Sequence, residues 1–487
     1  MTGTQHAIHE SMRSRIVANY RPALLWVTVL FAIVAFEAGA IFNLLVEILQ
    51  GLVSVYPFGN PFAEQVASAK SVSESIPTLL SRETIPNQGW QTSANGPWEG
   101  TFLGLEPMAA WLLRFLLTYA YAGVIVAWFA YGYRLYRRHY RRADWTPTDD
   151  VVRRLSSHSW GKFGLAVVLV FLVMALFAPT LGPTTSEQNI ENPYSYTMKH
   201  FDAESGSVEE IYVGDANSGS ESQGAGDDNI GPWSYDDFGR FHPFGTLPNG
   251  KDLFTFMVYG ARVSLFIGLT AMGIMGVLAT VFAMVTAYYK GLVDLSVVIV
   301  GDSVMAIPQL LLLILVAAVF NGHWLDSIYN GGLLIALVFG FTGWPALWRA
   351  VRGPAFQVST EEWVDAARSF GQRPSATMRK HMLPYVVGYL LVYASMTLGG
   401  VIIGTAALSF LGIGIDQPTP EWGTAVARGQ PFVATQSWHI AMIPGLMVVA
   451  VVTAFNALGD GIRDAIDPQS EGSEGGTSTA AAGGGGG

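Results

Sequence analysis

The sequence predicts an all-α polytopic membrane protein with about eight transmembrane helices, and three observations carry that prediction. Apolar residues make up 51% of the 487 positions and charged residues only 13%, about half the charge of an ordinary soluble domain. About eight apolar runs reach the ~17–25 residues that cross a bilayer as a helix. The connections between them alternate in character, arginine-rich on one side and acidic or polar on the other, as cytoplasmic and exterior loops do.

The composition also excludes several classes. With no cysteine, disulfides, thiolate catalysis and cysteine-based metal or iron–sulfur sites are out. A net charge of −10 argues against a nucleic-acid partner, whose footprint is a basic patch. The solvent for most of the surface is membrane lipid.

Taken in order, residues 1–20 are polar and carry Arg13 and Arg15; the apolar run 23–53 follows. That run is too long for the core of a signal peptide and lacks a small-residue cleavage site, so it reads as an uncleaved helix. Glu37 falls inside it and reads as a polar helix contact, while Glu47 lies near the outer end. Residues 51–106 form a polar exterior loop with weak helical periodicity over 62–80. The second span, 108–133, ends in YRLYRRHYRRADW, whose arginines 134, 137, 138, 141 and 142 fix that side as cytoplasmic. Tyrosines among arginines also suit RNA or lipid headgroups, but a topology signal is the preferred reading.

Arg153, Arg154 and Lys162 continue the cytoplasmic side before a third span, 163–179. The loop 184–240 then carries twelve Asp and Glu against Lys199 and Arg240, so it lies outside, with SGSESQGAGDDN as a mobile stretch or hairpin turn. Further spans read as 263–288, 297–320, 332–351, 386–411 and 439–458. Counting crossings from the acidic loop puts the loop 359–384 and both termini in the cytoplasm. Gly273, Gly276, Gly399, Gly400 and Gly404 read as sites of close helix approach, and Asp302 as a paired structural acid.

The loop 359–384 is the most basic connection of the second half. Ser359 or Thr360 can cap a helix there, Glu361 and Glu362 stand in a first turn where the dipole favours anions, and Gly371 ends it. Trp363, Ala366, Ala367 and Phe370 share one face. The prediction is a short amphipathic helix that another protein can approach closely.

Asp365-Ala366-Ala367, Gly371 and Leu383-Pro384, at these spacings, closely resemble the EAA loop of ABC-importer permeases, with Asp365 where the pattern has Glu and His381 where it has Ile. Residues 242–269, HPFGTLPNGKDLFTFMVYGARVSLFIGL, are similar to a segment of the dipeptide and oligopeptide subgroup, with Leu247 replacing its Asp and Lys251 its Arg. LSFLG from Leu408, Pro418, Pro420, Glu421, Trp422 and Gly423 look like that subgroup's external re-entrant loop, and residues 455–468 like its last helix and tail. The resemblance spans about 155–468. It implies a type I importer-like core of six helices within a domain 151–468, preceded by an extension 1–150 with two extra spans and followed by a low-complexity tail, 469–487.

The resemblance further implies a role as one permease subunit of an ATP-driven importer in the cell membrane. Glu361, Asp365, Ala366, Ala367, Gly371, Leu383 and Pro384 would couple it to two cytoplasmic ABC ATPase subunits. Pro418, Pro420, Glu421, Trp422 and Gly423 would stand near the mouth of the pathway. A second, similar permease and an extracellular substrate-binding protein complete the expected assembly. Peptides are the expected substrates, although nickel and sugar importers share the subgroup.

No cofactor or catalytic site is expected. Gly245 to Lys251 fits GxxxxGK, but Asp252 stands where Ser or Thr would bind magnesium, and neither HExxH nor GxSxG occurs. The contrasting reading is a secondary transporter or channel acting without ATPases, which would show inverted repeats and charges near the midplane. A membrane scaffold without transport is the third.

Overall fold

The computed structural model describes residues 12–40, 79–94, 96–141, 146–224 and 229–466, with scattered positions between 42 and 78. The chain divides into two compact units, Met1–Thr146 and Pro147–Gly487.

In the first unit α1 (Met12–Ala18) meets α2 (Tyr20–Ala35) at an angle of 93°. The helix does not run on through Glu37. The chain turns there, the Phe36 carbonyl accepts the Leu79 amide at 3.0 Å, and the Glu37 carboxylate accepts the Leu80 amide at 3.1 Å. Glu37 is therefore a polar contact to a returning loop rather than to another helix. Most of the expected first span beyond residue 40, with Glu47, and most of the periodic stretch 62–80 lie outside the described residues. Helix α3 (Pro107–His139) has 33 residues, about 50 Å at 1.5 Å per residue. It outruns the apolar stretch because Leu and Arg favour a helix and long cationic side chains reach water from its end. Trp26 and Trp128 pin α2 to α3, each indole N–H donating to the other's backbone carbonyl at 3.2 Å.

The second unit opens with α4 (Pro147–Ser157) and α5 (Ser159–Leu176). A two-stranded hairpin, β1 (Thr197–Asp202) and β2 (Ser207–Tyr212), follows in register Thr197 to Tyr212 through Asp202 to Ser207. Its turn is closed by the Asp202 carboxylate, which accepts the Glu204 and Ser205 amides. The hairpin turn is thus upstream of SGSESQGAGDDN, which lies partly outside the described residues.

Next come α6 (Leu253–Tyr289), α7 (Gly291–Met305), α8 (Gln309–Phe320), α9 (Gly332–Ser359), α10 (Glu362–Ser369), α11 (Leu383–Phe410), α12 (Trp422–Gly429) and α13 (His439–Ile466). Among the described residues of the chain, six helical stretches are long and apolar enough to cross a membrane, or up to eight if each bent pair counts as one span. The expected single span 297–320 is the α7/α8 pair, bent by 74°. Pro308 sits at the break, where it has no N–H to continue the ladder.

At the centre, α6 lies against α9. Ala271, Ala279, Ala283 and Ala287 are fully buried in one cluster with Trp344, Leu347, Trp348 and Val351, so small residues on one helix receive large ones from the other. Helix α13 lies between α5 and α11, with Gly161 against Gly461 and Gly399 against Phe455 and Val452. Gly404 meets Phe339, whereas a Cβ on Gly273 or Gly400 would meet nothing within 4 Å. On α7, Asp302 pairs with Arg349 of α9, and Asp294 receives Arg352 through Nε at 2.8 Å and through Nη2. Asp302 is a paired acid, as its sequence context suggested.

Candidate coupling site and outer loop

Helix α10 starts one residue later than its expected caps. Ser359 and Thr360 spend their hydroxyls on the Phe356 and Gln357 carbonyls, closing the end of α9, and Glu361 is the N-cap of α10 without a side-chain cap bond. These residues end one helix because a Ser or Thr hydroxyl can bond back to its own preceding turn.

The other end is set by Gly371 at φ +70°. The Gly371 amide donates to Arg368 O at 2.9 Å and the Gln372 amide to Ala367 O at 3.1 Å. This bond pair is the Schellman motif, which needs a left-handed residue at that position. Nothing lies within 4 Å of a Cβ built on Gly371, so the glycine serves backbone conformation.

Val364 is the anchor, fully buried in the same cluster as Ala287, Val358, Met382 and Val386. Two aromatic clamps flank it. Trp363 stacks on Tyr385 at 5.6 Å and 27°, and the Arg368 guanidinium lies 4.3 Å over Tyr288, also donating to its carbonyl at 3.3 Å. Sequence reasoning missed Val364, although an isolated β-branched residue among charges was the available signal. What remains outward is Glu362, Asp365, Ala366, Ser369 and Phe370, the last 90% exposed. Ala367 is half-buried, and the Asp365 carboxylate lies 3.7 Å from the Arg368 guanidinium.

Leu383 and Pro384 lie where this loop enters α11. A π-helical turn spans Met378–Met382, closed by the Leu383 amide on Met378 O. Pro384 has no N–H for an ordinary helical bond, and the wider turn absorbs that loss. Met382 is fully buried, while Pro384 is exposed.

At the other end of the unit, the outer-loop residues are mostly packed into protein. The Glu421 carboxylate caps α12, accepting the Gly423 amide at 2.6 Å and the Thr424 amide at 3.1 Å. The Trp422 indole donates to Met257 O at 2.8 Å and meets Phe171 edge-on at 5.8 Å. A Cβ on Gly423 would lie 1.9 Å from Ala406 O. Pro420 is buried and Pro418 exposed. The loop is tied to the α8–α9 connection by Asn330, whose carbonyl accepts the Asp416 amide and whose side-chain amide donates to Thr419, both at 3.0 Å. Glu421, Trp422 and Gly423 thus lock α6, α11 and α12 together.

The segment before α6 holds a buried ionic network. Asp252 caps α6, accepting the Thr255 amide at 2.6 Å, and accepts the His242 Nδ1 proton at 2.9 Å. His242 Nε2 lies 3.2 Å from Asp236, which also accepts Arg240 Nε at 2.6 Å. Burial works against the imidazolium, but hydrogen bonds to Asp236 and Asp252 outweigh it and raise the His242 pKa. Burial likewise opposes the Asp236 carboxylate, yet Arg240 and His242 hold its pKa well below the usual range. Leu247, in place of the subgroup's Asp, is fully buried. Gly250 passes so close to Asn217 that a Cβ would lie 1.6 Å from its carbonyl oxygen. Lys251 donates to Ile190 O at 2.7 Å, so the GxxxxGK stretch is a structural turn. Burial, and then Arg428, lower the Lys251 pKa.

Two family models match within the second unit. The family described as the binding-protein-dependent transport system inner membrane component matches residues 276–471, and the N-terminal TM domain of oligopeptide transport permease C matches 146–199. The dipeptide transport system permease protein DppC of Bacillus subtilis is 30% identical over 335 residues, which cover 68% of this chain and 88% of that protein. The chain belongs to this family of transport permeases. DppC of Alkalihalophilus pseudofirmus is 29% identical over 324 residues, covering 66% of the chain and 90% of that relative. The glutathione transport system permease protein GsiD of Escherichia coli O6:K15:H31 is 36% identical over 233 residues, 47% of the chain and 73% of that protein. The permease is a multi-pass membrane protein of an ABC-type importer, a class that works with ATPases and a substrate-binding protein. Neither family model reaches residues 1–145.

Proposed function

We propose that this permease forms one half of the translocation pathway of an importer for short peptides, with α10 as the part that meets the ATPase. The observation that carries the reading is the build of α10: one buried side chain and two aromatic clamps hold it, while Ala366 and a 90% exposed Phe370 face outward. A phenyl ring so exposed beside small residues is the pattern of a ring that inserts into a partner's pocket. The clamps join α10 to the ends of α6 and α11, the helices that Trp422 and Gly423 bind at the other end. A movement of α10 therefore has a packed route to the outer loop. Both termini lie in the cytoplasm in this arrangement, and a second permease supplies the other half of the path. Peptides are favoured as substrate by the names of the relatives.

Co-purification of the full chain from its native membranes, followed by mass spectrometry, tests the reading. Wild type should bring down a second permease and ATPases. Phe370→Asp and Ala366→Trp, both on the outward face, should lose the ATPases and keep the second permease. Recovery of the chain alone, with substrate uptake into liposomes in the absence of ATP, would replace the reading with a secondary transporter.

A further inference from the structure

The basic end of the first unit is more than a run of positive charge. Between residues 12 and 36, and again between 107 and 141, the sequence has no Asp or Glu. Into these acid-free stretches fall Arg13, Arg15 and Arg21 from the first pair of helices, and Arg134, Arg137, Arg138 and Arg141 from the end of α3 and just beyond. Tyr140 draws the two groups together. Its hydroxyl donates to Asn19 O at 2.7 Å and accepts the Ala23 amide at 3.0 Å, while Arg15 donates to its carbonyl.

At the end of α3 an open cavity of about 650 Å³ is lined by Tyr131, Leu135 and His139 and by Arg134, Arg137, Arg138 and Arg141. Arg134, Arg137 and Arg138 are exposed. Arg134 and Arg138 are four residues apart on α3, so two like charges stand on one face of the helix beside the cavity. Such stacking is unfavourable unless an anion lies between the forks. Guanidinium pairs suit phosphate oxygens because each presents a planar set of donors.

The depth of the cavity selects the phosphate. Trp26 and Trp128 are each bonded to the other's backbone, and Trp128 stands about two turns inside Arg134 and about three inside Arg138, where the aromatic belt of a membrane protein meets the headgroups. The 93° elbow between α1 and α2 turns α1 away from the spanning direction at the same level. We infer that this cavity is a binding site for the phosphate headgroup of an anionic phospholipid, held by Arg134 and Arg138 at the end of α3. The site is independent of α10 and of the substrate reading.

The test uses the purified full chain in detergent, titrated with phosphatidylglycerol or phosphatidylcholine and read by native mass spectrometry. Wild type should retain phosphatidylglycerol at least about 10-fold more tightly than phosphatidylcholine, unaffected by millimolar inorganic phosphate. R134Q/R138Q should weaken phosphatidylglycerol about 30-fold, some five-fold for each arginine removed, with phosphatidylcholine unchanged. R134K/R138K keeps the charge that orients the helix and loses the fork; it should fall between the two. Equal retention of both lipids by wild type would overturn the site without recourse to any variant. So would an undiminished preference in R134Q/R138Q, or displacement of the lipid by inorganic phosphate or by an RNA oligonucleotide.

Discussion

His242 Nδ1 lies 2.9 Å from Asp252, so the residue that caps the longest helix of the second unit is fastened to the loop in front of it. The same imidazole reaches Asp236 at 3.2 Å through its other nitrogen. A doubly protonated ring satisfies both carboxylates at once; a neutral ring can donate to only one.

The network predicts a two-sided pH dependence. The His242 pKa is raised, so its contribution is complete below the unfolded value near 6.5 and disappears as pH rises through the folded value. The Asp236 pKa is lowered, so its contribution is complete above about 3.9 and disappears only as pH falls through the depressed value. Limited proteolysis of residues 184–252 in the full chain should be slowest between about pH 4 and 6.5 and accelerate in alkali. His242→Gln should be cut rapidly at every pH, because losing one partner of a buried ionic network costs about 3–5 kcal/mol. Equal cleavage of variant and wild type at pH 6 would count against the network.

Gly371 offers a test of conformation against contact. Its φ of +70° makes Gly371→Ala cost about 1–2 kcal/mol, while Asn visits the left-handed region more readily. ATP-dependent uptake should fall in Gly371→Ala and recover largely in Gly371→Asn. Equal loss in both would mean that the bare backbone itself is the contact surface.

Val364 and Phe370 should separate anchoring from docking. Burying a valine side chain contributes about 1.5–3 kcal/mol, so Val364→Asp should free α10 from the bundle and raise its hydrogen exchange. Phe370→Asp, on a 90% exposed residue, should leave exchange and melting temperature unchanged while weakening ATPase capture. A melting temperature lowered by Phe370→Asp would show that the ring is structural.

The outer loop gives the last prediction. Trp422→Phe keeps an aromatic side chain but leaves Met257 O without its 2.8 Å donor, a loss of about 1–3 kcal/mol. Gly423→Ala places a carbon 1.9 Å from the Ala406 carbonyl oxygen and should cost more, because backbone must move. Thermal denaturation in detergent should therefore rank wild type above Trp422→Phe and Trp422→Phe above Gly423→Ala.

Much of this was legible from the sequence because the membrane restricts the solutions. A run long enough to span lipid must satisfy its own backbone bonds, so helices could be read from apolar length alone. Gly371 could be read as a helix end for a similar reason: few residues adopt its backbone angle. Length fails where tertiary partners extend or break a helix. The run 297–320 became the bent α7/α8 pair at Pro308, α6 began ten residues before its expected start within buried protein, and α2 stopped at Ala35.

By itself, the sequence determined the class of protein and which runs are apolar enough to cross a membrane, since these follow from local composition, charge and chain stereochemistry. The tertiary structure alone decided which side of α10 is outward, that Val364 is its anchor, and that Glu421, Trp422 and Gly423 are packed into protein. It also decided that His242 joins Asp236 to Asp252. Those outcomes depend on residues far apart in the chain meeting at distances of a few ångströms, and no local pattern encodes which of several compatible neighbours will fill a given space.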